Sequence, residues 1–408
     1  MKAIINAKIV TENGLIWDGA VTWENGRILQ ADWADKVSIP ADAEIIDAGG
    51  LYAAPGFIDI HNHGGPTGRW DQDPQGVSAF HLCHGTTTAL PTLAYQMSLE
   101  EMLKANEIIR ANSQSGPGRI MSGLYMEGPY MDGHSSNQKF VRWQGEIKKE
   151  EYGPLVEATK GYARIWAIDP AREGVEDFMK DVKAADPNAM FAFGHSRATF
   201  ADCRRVRKLG VTVQTHFNDS GQAPGRAQGT AGAGCDHYSL HEPDMYAELI
   251  CDEVGVHVDA ALIKTLVRTK GVEHVILITD HAGSKYPYTN NEADGIMFGP
   301  DLNYDYEGHL CGSCMTLNGG IRNMMKHTAY GLCHAVRKAS LTPARLLDAD
   351  GSALEGYDSG NLFGDSVDRL VDFEKPVEEL AGKEVRMELT MRDADLYSFR
   401  FEKTPAIC

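Results

Sequence analysis

The chain has 408 residues, 43% hydrophobic and 24% charged, which is globular composition with ample apolar material for one barrel carrying additions or for two domains. Its formal net charge of -18 argues against nucleic acid or an anionic membrane as partner, because both repel it. A small anionic substrate stays open, since a local cationic pocket outweighs a diffuse acidic field.

The opening residues, Met1-Lys2-Ala3-Ile4-Ile5-Asn6, lack the apolar segment of a signal peptide, and no later run reaches membrane-spanning length, so a cytoplasmic location is expected. Residues 1 to about 50 read as short strands, 3–10 and 19–23, with turns at Glu12-Asn13-Gly14 and Glu24-Asn25-Gly26-Arg27. Hairpin chemistry of this kind predicts a small β-module.

The run Pro55-Gly56-Phe57-Ile58-Asp59-Ile60 then ends abruptly in His61-Asn62-His63-Gly64-Gly65. Strand alternation puts His61 and His63 on one face and Asn62 on the other, so two imidazoles aim at one point. The two glycines are expected to turn the chain sharply and leave an open pocket above those rings.

From 52 to about 350, apolar strand-like runs (86–90, 120–126, 163–168, 190–194, 211–215, 247–251 and 275–279) alternate with amphipathic helical stretches (99–113, 174–185, 199–209 and 260–270). Repeated βα units predict parallel strands, and about eight of them close a barrel of roughly 250 residues. The expected fold is therefore an α/β protein, a (β/α)8 TIM barrel over residues 52–354. In that fold catalytic groups lie at the carboxyl ends of the strands, where Glu127, His195, His216 and Asp280 fall. Residues 355–408 return to short strands, including 369–373 and 385–391, and are expected to join residues 1–51 in a small β-sandwich module. Of the eight cysteines only Cys311-Gly312-Ser313-Cys314 are closely spaced, and without a second CxxC they read as reduced thiols near a loop.

Taken singly, each histidine reads as a core or surface residue. Four histidines and two carboxylates, all at strand ends, make a binuclear site for divalent zinc, iron or manganese the better reading. A metal there acidifies water and polarises a carbonyl, and Asp280 would take the proton from water and deliver it to a departing amine. No serine or cysteine sits in a recognisable nucleophile elbow, so direct attack by water is the economical route.

These residues carry a family resemblance. In Ala54 to Gly65, Gly123-Leu124-Tyr125-Met126-Glu127-Gly128-Pro129, Gly194-His195-Ser196, Thr215-His216, Gly255-Val256-His257-Val258-Asp259, Thr279-Asp280, 310–317 and 341–347 the chain resembles the amidohydrolase superfamily. Within it the likeness is to the N-acetylglucosamine-6-phosphate deacetylases. The resemblance implies that Glu127, His195 and His216 bind the principal metal, that His61 and His63 hold a second with Glu127 as bridge, and that Asp280 is the general acid/base. It implies one or two divalent ions, zinc foremost with iron, manganese or cobalt as alternatives, and a homodimer. It further implies substrate contacts from His257, Asn218, Asp219, the Cys311-Gly312 backbone, His134, and Arg226 reaching into the neighbouring subunit's site.

The implied activity is deacetylation of an N-acetyl amino sugar, its 6-phosphate or a close relative, to the amino sugar and acetate. Departures lie on the substrate side. The loop after His216 is a residue shorter than the family's and brings Asp219 towards a bound phosphate; the loop after Glu127 is short, leaving His134 as its substrate-contacting histidine; and residues 285–307 form an insertion. These features keep open a different amide, such as an N-acyl amino acid or a cyclic amide, and Thr279-Asp280-His281 is similar to dihydroorotases. A non-catalytic metal-binding relative is the alternative of another class, and retention of all six polar groups argues against it.

Overall fold

The computed structural model describes residues 1–132, 142–219, 229–283, 297–305 and 308–347. Residues Met1–Leu347 form one compact unit. Its N-terminal part is a sheet in which Lys2–Val10 runs antiparallel to Leu15–Glu24, itself antiparallel to Arg27–Trp33. Asn25 and Gly26 close the second hairpin with positive φ at both positions, 51° and 76°, the backbone that a two-residue turn between right-twisting strands demands. Glu44–Asp47 and Tyr52–Ala53 lie parallel to the first strand, so 52–53 belong by pairing to this sheet and not to the barrel. The segment 355–408, expected to complete the module, lies outside the described residues.

Eight parallel strands follow: β1 (Phe57–Asn62), β2 (Thr86–Ala94), β3 (Leu124–Glu127), β4 (Ala163–Ile168), β5 (Met190–Phe193), β6 (Val211–Gln214), β7 (Tyr246–Ile250) and β8 (Val275–Ile278), hydrogen-bonded in sequence order. Each is followed by a helix: α1 (Pro74–Cys83), α2 (Leu99–Asn112), α3 (Lys149–Thr159), α4 (Val175–Ala185), α5 (Phe200–Arg207), α6 (Cys235–His241), α7 (Ala260–Lys270) and α8 (Leu317–His327). Local chemistry sets several of the helix starts. Ser98 with Glu101, and Thr199 with Asp202, form reciprocal capping boxes, and Asp73 accepts from Gly76 N–H ahead of Pro74.

One cluster joins Ile60, Leu90, Tyr125, Ile165, Ala192, Val213, Ile250 and Ile276, one residue from each strand. Eight consecutive strands can bring such residues together only around a closed interior. Their neighbours Leu249 and Leu277 face the other way, onto Ile263 and Leu266 of α7 and Ile321 and Met324 of α8. The expected strand 120–126 is shorter than the pattern suggested. Pro117 between two glycines starts a tight turn, Gly116–Ile120, and pairing begins in earnest at Leu124.

The barrel closes between β1 and β8. Asp280 N–H donates to His61 O at 2.9 Å and His63 N–H to His281 O at 3.0 Å. Beneath these bonds Asp59, fully buried, accepts from Thr279 Oγ1 at 2.6 Å, Thr279 N–H at 3.2 Å and Asn62 Nδ2 at 2.9 Å. Trp70 Nε1 donates to Asn62 O at 2.7 Å, tying the strand end to the loop beyond it. A buried donor left without a partner costs roughly 1–3 kcal/mol. Asp59→Ala orphans the Thr279 pair and is expected to cost about 3 kcal/mol or more with an unchanged m-value in urea unfolding; a midpoint equal to the wild type's would remove this network from the account of barrel closure.

Candidate active site

The strand ends deliver the predicted groups to one place. Glu127 is the last residue of β3, while His195, His216 and Asp280 each lie two residues beyond the ends of β5, β6 and β8. His61 comes from β1, where the pairing with β2 shifts register between Asp59 and Asn62. Simple alternation would turn His61 away from Ile60, which packs inside the barrel; the irregularity lets both face inward, the usual use of a bulge beside a site. Asn62 points away as expected, onto His81 of α1 and Thr279. The glycines after His63 serve a different purpose from the expected open pocket. Gly64 pairs with Arg69 and Gly65 with Gly68, and a Cβ on Gly64 would lie 2.3 Å from Gly68 O and 2.7 Å from Gly283 Cα, so the position serves close backbone approach.

Glu127 is the hub. Its Oε1 lies 2.9 Å from His195 Nε2, 3.2 Å from His216 Nε2 and 3.9 Å from His61 Nε2, while Oε2 lies 3.3 Å from His63 Nε2. Asp280 Oδ1 is 3.2 Å from His63 Nε2 and 3.6 Å from His61 Nε2. Two groups of ligand atoms result, His61 with His63 and Glu127, and Glu127 with His195 and His216, each within 4.8 Å of one another. An ion with ligands at about 2.1 Å in a tetrahedron sets neighbouring ligand atoms roughly 3.4 Å apart, so these spacings fit a small divalent cation in each group. His61 Nε2 suits that use, being buried without a hydrogen-bond partner among the described residues.

Without such a cation the carboxylates draw protons onto the imidazoles. Burial alone lowers the His63 pKa, but hydrogen bonds with Asp280 and Glu127 overcome it and raise the value to about 10. His216 behaves alike, burial opposed chiefly by Glu127, and also rises to about 10. Burial pushes Glu127 up, yet hydrogen bonds from His195, His216 and His63 hold it well below the usual carboxylate range. Asp280 is likewise lowered, burial being outweighed by the His63 hydrogen bond and the charges of His61, His63 and His216. The cluster is built to stabilise positive charge at its centre.

Backbone conformation sharpens the delivery. Asp280 and Asn218 adopt φ of 46° and 63°, the left-handed region that Asp and Asn tolerate best among residues with a Cβ. His281 turns from the site: its Nδ1 accepts from Gly283 N–H at 3.2 Å, and burial beside His81 lowers its pKa to about 3. A Cβ on Gly194, before His195, would lie 2.8 Å from the Met131 thioether, so that flexible side chain would have to shift to admit one.

The expected substrate contacts divide. Asp219 Oδ1 lies 3.2 Å from His257 Nδ1, and Asn218 N–H donates to Asp236 Oδ1 at 3.0 Å. Cys311 and Gly312 flank Asp280: a Cβ on Gly312 would meet Asp280 O at 2.7 Å, while Cys311 O already accepts from Asn303 Nδ2 at 2.8 Å. Cys311 and Cys314 are free thiols. His134, Arg226 and most of the 285–307 insertion lie outside the described residues; the remainder of that insertion includes Leu302–Tyr304, paired with Leu310–Ser313.

Sequence reasoning missed two buried carboxylates. Glu248 Oε2 accepts from His61 Nδ1 at 3.0 Å, and Asp252 receives the N–H groups of Val254, Gly255, Val256 and His257, fixing the turn that presents His257. The signal for Glu248 was available: it is the lone charge in the apolar strand Tyr246-Ala247-Glu248-Leu249-Ile250.

Among the described residues no helix is long and apolar enough to cross a membrane. Over 357 residues, 84% of this chain and 89% of the relative, the chain is 28% identical to the N-acetylgalactosamine-6-phosphate deacetylase of Escherichia coli O157:H7. It is 26% identical over 365 residues, 85% of this chain and 90% of the relative, to the N-acetylglucosamine-6-phosphate deacetylase of Haemophilus influenzae. Its fold matches the crystal structure of N-acetylglucosamine-6-phosphate deacetylase from Pasteurella multocida with a TM-score of 0.72 at 22% identity, covering 86% of this chain and 91% of that one. The Amidohydrolase family matches residues 52–358, the whole barrel with every histidine and carboxylate gathered around Glu127, and the chain belongs to that family.

Proposed function

We propose that the protein is a metal-dependent amide hydrolase that removes the acetyl group from an N-acetyl amino sugar carrying a 6-phosphate, giving the amino sugar and acetate. The observation that carries this reading is the pair of ligand groups sharing Glu127, with Asp280 beside the one that contains His61 and His63. It is supported by relatives that act on two epimeric N-acetyl amino sugar phosphates. His61, His63 and Glu127 would hold one divalent ion, and Glu127, His195 and His216 the other, with zinc foremost and iron, manganese or cobalt compatible with the same donors. Such ions supply Lewis acidity, polarising the amide carbonyl and making water a nucleophile near neutral pH.

Asp280 then carries the proton. Its Oδ1, 3.2 Å from His63 Nε2, stands beside that residue's ligand group, placed to accept the proton of the attacking water, and as the carbon–nitrogen bond breaks it returns that proton to the departing amine nitrogen. Water thus supplies the hydroxyl of acetate and a hydrogen of the amine. His257 and the Asn218-Asp219 loop would contact the sugar, together with His134, the Cys311-Gly312 backbone, and Arg226 of a homodimer partner pairing bidentately with phosphate.

One contact favours a second substrate. The Asp219 carboxylate beside His257 adds negative charge to the loop this reading gives to the sugar, and so favours an unphosphorylated sugar or another neutral amide.

Acetate release from both N-acetylhexosamine 6-phosphates, measured beside their unphosphorylated forms, decides between the two; release confined to neutral substrates would sink the phosphate assignment. On a phosphorylated substrate, Asp219→Asn is expected to raise kcat/KM by roughly tenfold, the worth of about 1.4 kcal/mol of like-charge repulsion. Asp280→Asn should lower kcat by about 10²–10⁴-fold while metal content and circular dichroism stay as in the wild type. Dialysis against a chelator should abolish turnover, and added divalent ion should restore it near two equivalents per chain; full activity in protein shown to be metal-free would overturn the mechanism.

A further inference from the structure

Glu248 is fully buried on β7, at the same strand parity as Ile250, which packs inside the barrel. Taking a carboxylate into such a place costs several kcal/mol unless the groups around it compensate. What it meets is unusual: the single oxygen Oε2 accepts from His61 Nδ1 at 3.0 Å and from the backbone N–H of His216 at 3.1 Å. The other oxygen, Oε1, is buried with no hydrogen-bond partner among the described residues. Tyr125 closes the His61 ring from another side, its centroid 4.4 Å away, and its hydroxyl pairs with Thr215 Oγ1 at 2.8 Å.

Each of the two bonds fixes something the site needs. A carboxylate oxygen accepts, so the proton of His61 sits on Nδ1 and the lone pair on Nε2, the atom turned towards Glu127 and Asp280. The second bond holds the turn by which β6 delivers His216. Strand pairing between β6 and β7 stops at Gln214 and Ala247, and from there Glu248 takes over with its side chain on His216 N–H and its main-chain oxygen on Phe217 N–H at 2.8 Å. His216 and His61 belong to different ligand groups, which share Glu127.

We propose that Glu248 is a positioning residue common to both ion positions, setting the tautomer of His61 for one and the backbone turn of His216 for the other. This rests on the metal reading above. Carboxylates that orient metal-binding imidazoles are worth about 10–100-fold in metal affinity. A shared brace makes a prediction that a one-sided brace does not, namely that both ions weaken together.

The test is metal titration of the full chain with zinc against a chelating dye, for the wild type, Glu248→Leu, Glu248→Gln and His61→Asn. Glu248→Leu should weaken both ions by about 10–100-fold, His61→Asn should release one, and Glu248→Gln, which keeps volume and an oxygen acceptor, should hold both within about tenfold of the wild type. A leucine variant that binds both ions like the wild type, or loses only one, overturns the shared brace while leaving the hydrolase reading intact. A wild type that binds no zinc removes the metal reading and the brace with it. If circular dichroism finds the leucine variant unfolded, nitrogen-15 spectra of histidine-labelled, zinc-loaded wild type decide: His61 protonated on Nδ1 supports the proposal, and His61 unprotonated there overturns it.

Discussion

Two backbone hydrogen bonds, Asp280 N–H to His61 O and His63 N–H to His281 O, close the eight-stranded sheet, and they are made by the residues that carry the site's chemistry or sit next to them. Barrel closure and active-site assembly are therefore one event. The side chains of His61, His63 and Asp280 cannot take their places until β8 has found β1, and the buried Asp59, Asn62 and Thr279 network beneath the seam fixes the register in which they meet. A polar network in the core is costly when partly satisfied and specific when its bonds are made. Here it sits where a one-residue slip would turn every group at the seam to the wrong face.

Electrostatics complete what the seam begins. Glu127, Asp280 and Glu248 are carboxylates carried into a barrel interior, a placement that is unfavourable unless positive charge or good donors meet them. The four imidazoles are those partners, and the raised pKa values of His63 and His216 express how strongly the acids call for a cation. The same demand explains why the ligand spacings lie near those around a small divalent ion. In the proposed function recognition falls further out, to the Asp219 and His257 pair and the turn that Asp252 fixes with four backbone N–H groups. That reading puts the chemistry on strand ends and the recognition on loops, a division usual for this barrel.

Much of this was written in local pattern. The βα alternation from 86 to 279 placed its strands and helices to within a few residues, because hydrophobic period acts over one or two turns of chain. Strand ends in a barrel all point to one face, so Glu127, His195, His216 and Asp280 could be gathered from spacing alone. The Asn25-Gly26 turn was equally legible, since few other pairs accept positive φ twice. Where local and global reasons parted, the pattern misled. Gly64 read as room for a pocket but is a point of backbone contact with Gly68 and Gly283, the latter 219 positions away in the chain and hence outside any window of sequence.

The sequence by itself therefore determined the parallel barrel and the residue types at its strand ends, because periodicity and residue chemistry are properties of short stretches. Only the tertiary structure decided which atoms face which. The irregularity that turns His61 inward beside Ile60, the division of Glu127's two oxygens between ligand groups, and the reach of Glu248 across 187 positions to His61 all depend on strand register and closure. Those are set by the packing of the whole barrel, where an ångström of placement separates a hydrogen bond from none.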